Sequence, residues 1–171
     1  NSPASELWNR VGGYDFDFHA FVEPGARGVD LPDGHQLADL SDGRPLVLTV
    51  PTPEHGPPLE VDPDIAETAA AVVEQLLTAG ASARVAALGD AGRSVTAADI
   101  GVASSHRVMN AAIAKALSPL GGPIRVDTPE RWQGLERPVM IAVHPLSGVT
   151  DPSAFDLETG RLCVMASRHQ S

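Results

Sequence analysis

The chain has 171 residues, enough for one compact domain that buries a core without disulfide or metal staples. Hydrophobic residues make up 43% of it but aromatics only 4%, so the core must be built mostly from Val, Leu, Ile and Ala. The net charge of −10, from 22 acidic and 12 basic residues, argues against a uniformly basic, sequence-blind nucleic-acid binder and leaves room only for local contacts with anions.

Every basic residue except Lys115 is an arginine, the side chain that suits bidentate phosphate contacts. Cys163 is the single cysteine, so neither an intrachain disulfide nor a cysteine zinc cage is available, and a reducing, cytoplasmic setting is expected. No apolar run approaches membrane-spanning length and no signal peptide opens the sequence. The first residue is Asn rather than Met, which reads as a piece of a longer protein.

Residues 1–44 mix Gly, Pro and Asp with scattered aromatics and read as an irregular lead-in, which Phe16, Phe18 and Phe21 would anchor to the body. From Pro45 the pattern becomes orderly, and residues 45–171 read as one domain. "PLVLTVP", from Pro45 to Pro51, is an apolar run bounded by prolines and predicts a buried strand. A Pro-rich loop follows. "DPDIAETAAAVVEQLLTAG" predicts a helix capped by Asp62, with Pro63 at its first position, an apolar face through Ile65, Ala69, Val72, Val73, Leu76 and Leu77, and Gly80 at its end.

"ARVAAL" predicts a short strand and "GDAGRSVTAA" a loop. "DIGVASS" is a second buried strand and "HRVMNAAIAKAL" a helix ending before Pro119. "PIRVDT" and "PVMIAVH" are further strands, separated by the polar stretch Pro129 to Arg137, and a long polar loop leads to "RLCVMASRHQ". Strands alternating with helices predict an α/β fold with a parallel sheet covered on both faces. In such sheets ligands gather at the carboxyl ends of the strands, which directs attention to Ser104-Ser105-His106-Arg107, to Thr128 through Arg131, and to Arg168. The turn Gln133-Gly134-Leu135-Glu136 is expected beside those ends, with Gly134 admitting a phosphate close to the backbone and Glu136 accepting from a ribose hydroxyl.

The histidines at 19, 35, 55, 106, 144 and 169 have no i,i+4 or H-x-H spacing, so no metal site is expected. Ser104-Ser105-His106 lacks the G-x-S-x-G frame of a serine hydrolase.

"DIGVASSHRVMNAAIAKAL" resembles the motif IV region of superfamily 1 helicases, "VDTPERWQGLERPVMIAV" their motif V, with Thr and then Gln-Gly-x-Glu before a strand, and "RLCVMASRHQ" their motif VI. The helix "VDPDIAETAAAVVEQLL" resembles the one that precedes motif IV in part of that superfamily. Order and spacing agree over residues 45–171. The resemblance implies the C-terminal RecA-like domain, of P-loop NTPase type, of a nucleic-acid-dependent ATPase.

It implies that Arg168 is an arginine finger, that Gly134 approaches the γ-phosphate, that Glu136 binds the ribose and that Gln133 positions the turn. It implies too that Thr128, Ser104 and His106 line the path of a single strand. Trp132 has two readings, stacking on a base or packing against a neighbouring helix. Ser104-Ser105-His106 stands where Thr-Pro-Tyr is usual, and Met109 where Gln is common. No G-x-x-x-x-G-K-[ST] occurs; "LGDAGRS" has no lysine after its glycine.

ATP with Mg would therefore be held mainly by an N-terminal RecA-like domain of the same protein, which is the expected partner together with a single-stranded nucleic acid. This domain alone would hydrolyse nothing, while the whole protein would be an ATP hydrolase. A nucleotide-binding regulatory or interaction protein without strand translocation is the alternative. A basic stripe across Arg107, Arg125 and Arg131 would favour strand binding over it.

Overall fold

A computed structural model describes residues 27–43, 45–51, 60–84, 92–144, 151–155 and 157–169. The Phe16, Phe18 and Phe21 anchors, the Pro-rich loop and most of "LGDAGRS" lie outside the described residues.

The first long element forms for the reason its sequence states. Helix α1 spans Pro63–Thr78, and the Asp62 carboxylate accepts from the backbone N–H groups of Asp64 at 2.9 Å and Ile65 at 3.2 Å. Two donors that the first helical turn leaves without intrahelical partners are thereby satisfied. The chain leaves the helix through Gly80 at φ 72°, a left-handed position that favours glycine. Ala66, Ala69, Val73 and Leu76 form the buried stripe, with Ile65, Val72 and Leu77 half-buried at its margins.

Two small sheets organise the rest. In the first, β1 (Gly28–Asp30), β2 (Ser82–Arg84) and β3 (Arg93–Ser94) run antiparallel in that order. In the second, β4 (Ile100–Ser104) is the centre of a parallel sheet with β5 (Arg125–Asp127) on one side and β6 (Val139–Val143) on the other. Its register aligns Ile100 with Val139 and Ser104 with Val143, and sets Ala103 beside Asp127. The protein is thus α/β, with a three-stranded parallel sheet flanked by helices.

Because strand side chains alternate, the parallel sheet has two distinct faces. Ile100 and Val102 of β4, with Val139, Ile141 and Val143 of β6, join the main core. There they meet α1 and helix α2 (Arg107–Leu117), which contributes Met109, Ile113 and Leu117. On the opposite face Ala103 packs with Trp132 and Met165, and Met140, Leu135 and Val164 close the cluster. Those residues come with two shorter helices, α3 (Pro129–Trp132) and α4 (Thr159–Ala166), which pack on each other and against β6 and β4.

Two expectations are corrected. Residues 45–51 carry no regular secondary structure, and Val47 and Leu48 are 84% and 51% exposed, so this run is not a buried strand. Leu46 alone of its apolar side chains packs against the main core. Part of the lead-in, by contrast, is built into the body: Val29, Leu31 and Leu37 are buried. Among the described residues no helix is long and apolar enough to cross a membrane.

Candidate functional site

The candidate residues fall at opposite edges of the parallel sheet. Ser104, His106 and Thr128 lie at the carboxyl edge, where β4 and β5 end. Ser104 is fully enclosed: its N–H donates to Asn110 Oδ1 at 3.1 Å and its carbonyl accepts from Asn110 Nδ2 at 2.9 Å. The side chain of Asn110, from α2, thus closes the end of β4 as another strand would. The Ser104 hydroxyl is buried without a hydrogen-bond partner among the described residues, so it does not front the edge. His106 is half-buried ahead of α2, its ring set edge-on to Phe155 with centroids 5.5 Å apart and planes at 64°.

Thr128 precedes α3. Its carbonyl accepts from the N–H groups of Arg131 at 3.0 Å and Trp132 at 3.2 Å, and its own N–H donates to Asp127 Oδ1 at 3.1 Å. Beside it, the Arg161 guanidinium donates from Nε to Glu130 Oε1 at 2.8 Å and also binds Glu158. That hydrogen bond is the main cause that holds the Glu130 carboxyl below its usual range, with the Thr128 hydroxyl adding a smaller contribution. Arg161 also stacks on Phe155, 3.7 Å from the ring centroid.

Among the described residues no continuous basic stripe runs along this edge. Arg125 Nη2 donates to Asp127 Oδ2 at 3.2 Å, and Arg131 approaches the other oxygen of the same carboxylate at 3.7 Å. Both cations are compensated by one acid. Arg107, exposed at the start of α2, is the remaining member of the expected stripe.

Trp132 packs rather than presents itself. It is fully buried, and its Nε1–H donates to the carbonyl of Val102 at 3.1 Å. Stacking on a base is corrected to the packing reading, because both the ring and its one polar atom are already used by the core.

The turn Gln133-Gly134-Leu135-Glu136 lies elsewhere from where it was expected. It leads into β6, and β6 starts level with Ile100, the first residue of β4, so the turn sits at the amino edge of the sheet. Gln133 and Gly134 are exposed; Gly134 has φ 75° and open space where a side chain would stand. Glu136 is exposed and pairs loosely with Arg27, Nη1 to Oε2 at 3.8 Å.

Arg168 joins this turn from the far end of α4. Its carbonyl accepts from the N–H of Arg137 at 3.0 Å, and Arg137 and His169 form a parallel bridge. Its guanidinium donates to Ser167 Oγ from Nε at 3.3 Å and Nη2 at 2.9 Å. Arg137 donates from Nη1 to the Glu136 carbonyl at 2.8 Å and lies over the Trp132 ring at 5.6 Å. Arg168 is thus tied through its backbone to Arg137, the residue that follows the Gln133–Glu136 turn, while Ser104, His106 and Thr128 lie at the other edge.

Sequence reasoning missed Asn110 and Arg137. An Asn in the first turn of a helix that follows a strand is a signal for such a clamp, whereas nothing local separates Arg137 from a solvated arginine. Among the described residues no group of three or more His, Cys, Asp or Glu side chains is placed to hold a metal ion. The fold and the turn define an α/β domain with a parallel sheet and a polar, arginine-flanked amino edge. No protein-family model, curated protein or solved structure matches the chain.

Proposed function

We propose that the chain is the second, C-terminal RecA-like domain of a nucleic-acid-dependent ATPase of superfamily 1 helicase type, and that Arg168 is its arginine finger. The observation that carries this reading is the hydrogen bond from Arg137 N–H to the Arg168 carbonyl. It joins the residue that follows the Gln-Gly-x-Glu turn to Arg168, two segments distant in sequence that the resemblance assigns to one nucleotide.

On this reading ATP and Mg are held mainly by a first RecA-like domain, and the turn closes on the nucleotide from the opposite wall. Gly134 lets a phosphate oxygen approach the backbone, Gln133 fixes the turn, and Glu136 accepts from the ribose hydroxyls. Arg168 stabilises charge that develops on the γ-phosphoryl oxygens as the bond to the leaving phosphate lengthens. Thr128 and His106, at the other edge, face the single strand.

The test is nucleic-acid-stimulated ATP hydrolysis by the full-length protein, wild type against Arg168→Ala. The expected result is a loss of turnover of about a hundredfold or more with nucleotide affinity largely kept. An inactive wild type, or a variant equal to it, would replace this reading with the second one. That second reading is a nucleotide-binding regulatory or interaction protein without translocation. It is favoured by the carboxyl edge, where Arg125 and Arg131 share Asp127 and Ser104 is enclosed.

A further inference from the structure

Among the described residues of this acidic chain most arginines are matched with carboxylates. Arg27 faces Glu136, Arg84 faces Asp30, Arg93 faces Asp99, Arg125 and Arg131 face Asp127, and Arg161 faces Glu130 and Glu158. Arg137 and Arg168 have no carboxylate within ion-pair distance among the described residues, and nor has the exposed Arg107 at the opposite edge. Unlike Arg107, the two at the amino edge are half-buried.

A half-buried guanidinium loses hydration that only an opposite charge or several acceptors restore. Arg137 has one acceptor, the Glu136 carbonyl, and Arg168 has the Ser167 hydroxyl. Each guanidinium carries five N–H donors, so both keep donors to offer. Neither is loose. Arg137 lies over the Trp132 indole, and the hydrogen bond between Arg137 N–H and the Arg168 carbonyl fixes their backbones side by side. Gly134, three residues before Arg137, has nothing within 4 Å of where a Cβ would stand.

We propose that Arg137 is a second phosphate-binding cation of this edge, taking one phosphate group of a nucleoside triphosphate while Arg168 takes another. The inference rests on the nucleotide-facing reading of the turn, and it adds a residue that reading does not include. Two guanidinium forks compensate the spread negative charge of a polyphosphate better than one, and the ligand supplies the acceptors that the protein withholds. Glu136 beside them disfavours an anion directly at its carboxylate, which sets the phosphates on the Arg137–Arg168 side and leaves Glu136 to the sugar.

The experiment is calorimetric titration of the full-length protein with inorganic triphosphate across a salt series, for wild type, Arg137→Gln and Arg168→Gln. The expected result is a loss of affinity of about tenfold in Arg137→Gln, with a shallower dependence on salt because one ionic contact is gone, and a smaller loss in Arg168→Gln, whose guanidinium acts mainly in the transition state. An Arg137→Gln protein with wild-type affinity and salt dependence overturns the role of Arg137 and leaves the nucleotide-facing reading standing. Failure of the wild type to bind overturns both. Since Arg137 also covers Trp132, Arg137→Lys guards against a folding defect. It keeps a cation on the indole and is expected to keep the salt dependence while losing affinity with the fork; unchanged affinity overturns the proposal.

Discussion

Trp132 lies so close over Gly101 that a Cβ on the glycine would fall 2.5 Å from Cη2 of the indole. It would also fall 2.5 Å from Sδ of Met140. The centre strand of the parallel sheet is therefore kept bare on one face to seat the largest side chain of the second cluster. That packing fixes α3, and with it the start of the turn toward β6.

Gly101→Ala is accordingly expected to destabilise the protein by about 1–3 kcal/mol, since no partner of the new methyl group is the free end of an exposed chain. Gly101→Val is expected to do worse. Thermal melting compares the two, and a melting temperature unchanged in Gly101→Ala would mean that the indole does not occupy this position.

For Trp132 the core reading and the base-stacking reading predict opposite results. If the ring is core, Trp132→Ala leaves a cavity and costs about 3–5 kcal/mol. Trp132→Phe then costs about 1 kcal/mol or more, through loss of the hydrogen bond to Val102 and of ring volume. Urea denaturation measures both. Neutral stability with weakened single-strand binding would restore the stacking role.

Asp99 ties the approach of β4 in place. Its carboxylate accepts from Thr96 N–H at 2.8 Å and Thr96 Oγ1 at 2.7 Å, and forms a two-point pair with Arg93 that includes Nη1 to Oδ2 at 2.6 Å. Led by the Arg93 hydrogen bonds, these contacts lower its pKa from 3.8 to about 2, against the opposing effect of burial. A carboxyl depressed on folding contributes stability above its unfolded value and loses it as pH falls toward the folded one. The contribution, about 2 kcal/mol, is whole at neutral pH and fades from about pH 4 down to about pH 2. Asp99→Asn is expected to be less stable than wild type at pH 7, with the gap closing at low pH. A gap that is the same at pH 7 and pH 3 would assign the loss to geometry instead of charge.

How much of this was legible depends on the range of the interaction that decides each element. α1 was readable because its evidence is local: Asp62, Pro63 and Gly80 bracket an apolar stripe. β4 and β6 were readable as apolar runs between turn residues. Residues 45–51 bear the same signature, yet Val47 and Leu48 are exposed, because an apolar run records a need for cover and not which strand supplies it. The antiparallel strands have three, three and two residues, too few for alternation to register. The site suffered most. That the Gln133–Glu136 turn lies at the amino edge follows from strand order and register, both long-range pairings. The fate of Trp132 had one local sign, an isolated glycine inside β4, which marks a close approach.

Cys163 offers a view of the site that does not depend on turnover. Burial pushes its thiol pKa up, and the Arg168 charge opposes that with a smaller downward pull. Removing the guanidinium leaves burial unopposed, so Arg168→Ala is expected to raise the thiol pKa further and to slow alkylation at any pH below it. Triphosphate bound at Arg168 would neutralise the same charge. It should therefore raise the pKa in the wild type and leave the variant unchanged. The measurement is the pH dependence of iodoacetamide labelling at Cys163, followed by mass spectrometry with and without inorganic triphosphate. A shift caused by mutation but not by triphosphate would show that Arg168 faces α4 while binding no phosphate in the ground state, which counts against the pairing of Arg137 and Arg168 on one triphosphate. A midpoint indifferent to both would mean that the Arg168 charge does not reach the thiol at all.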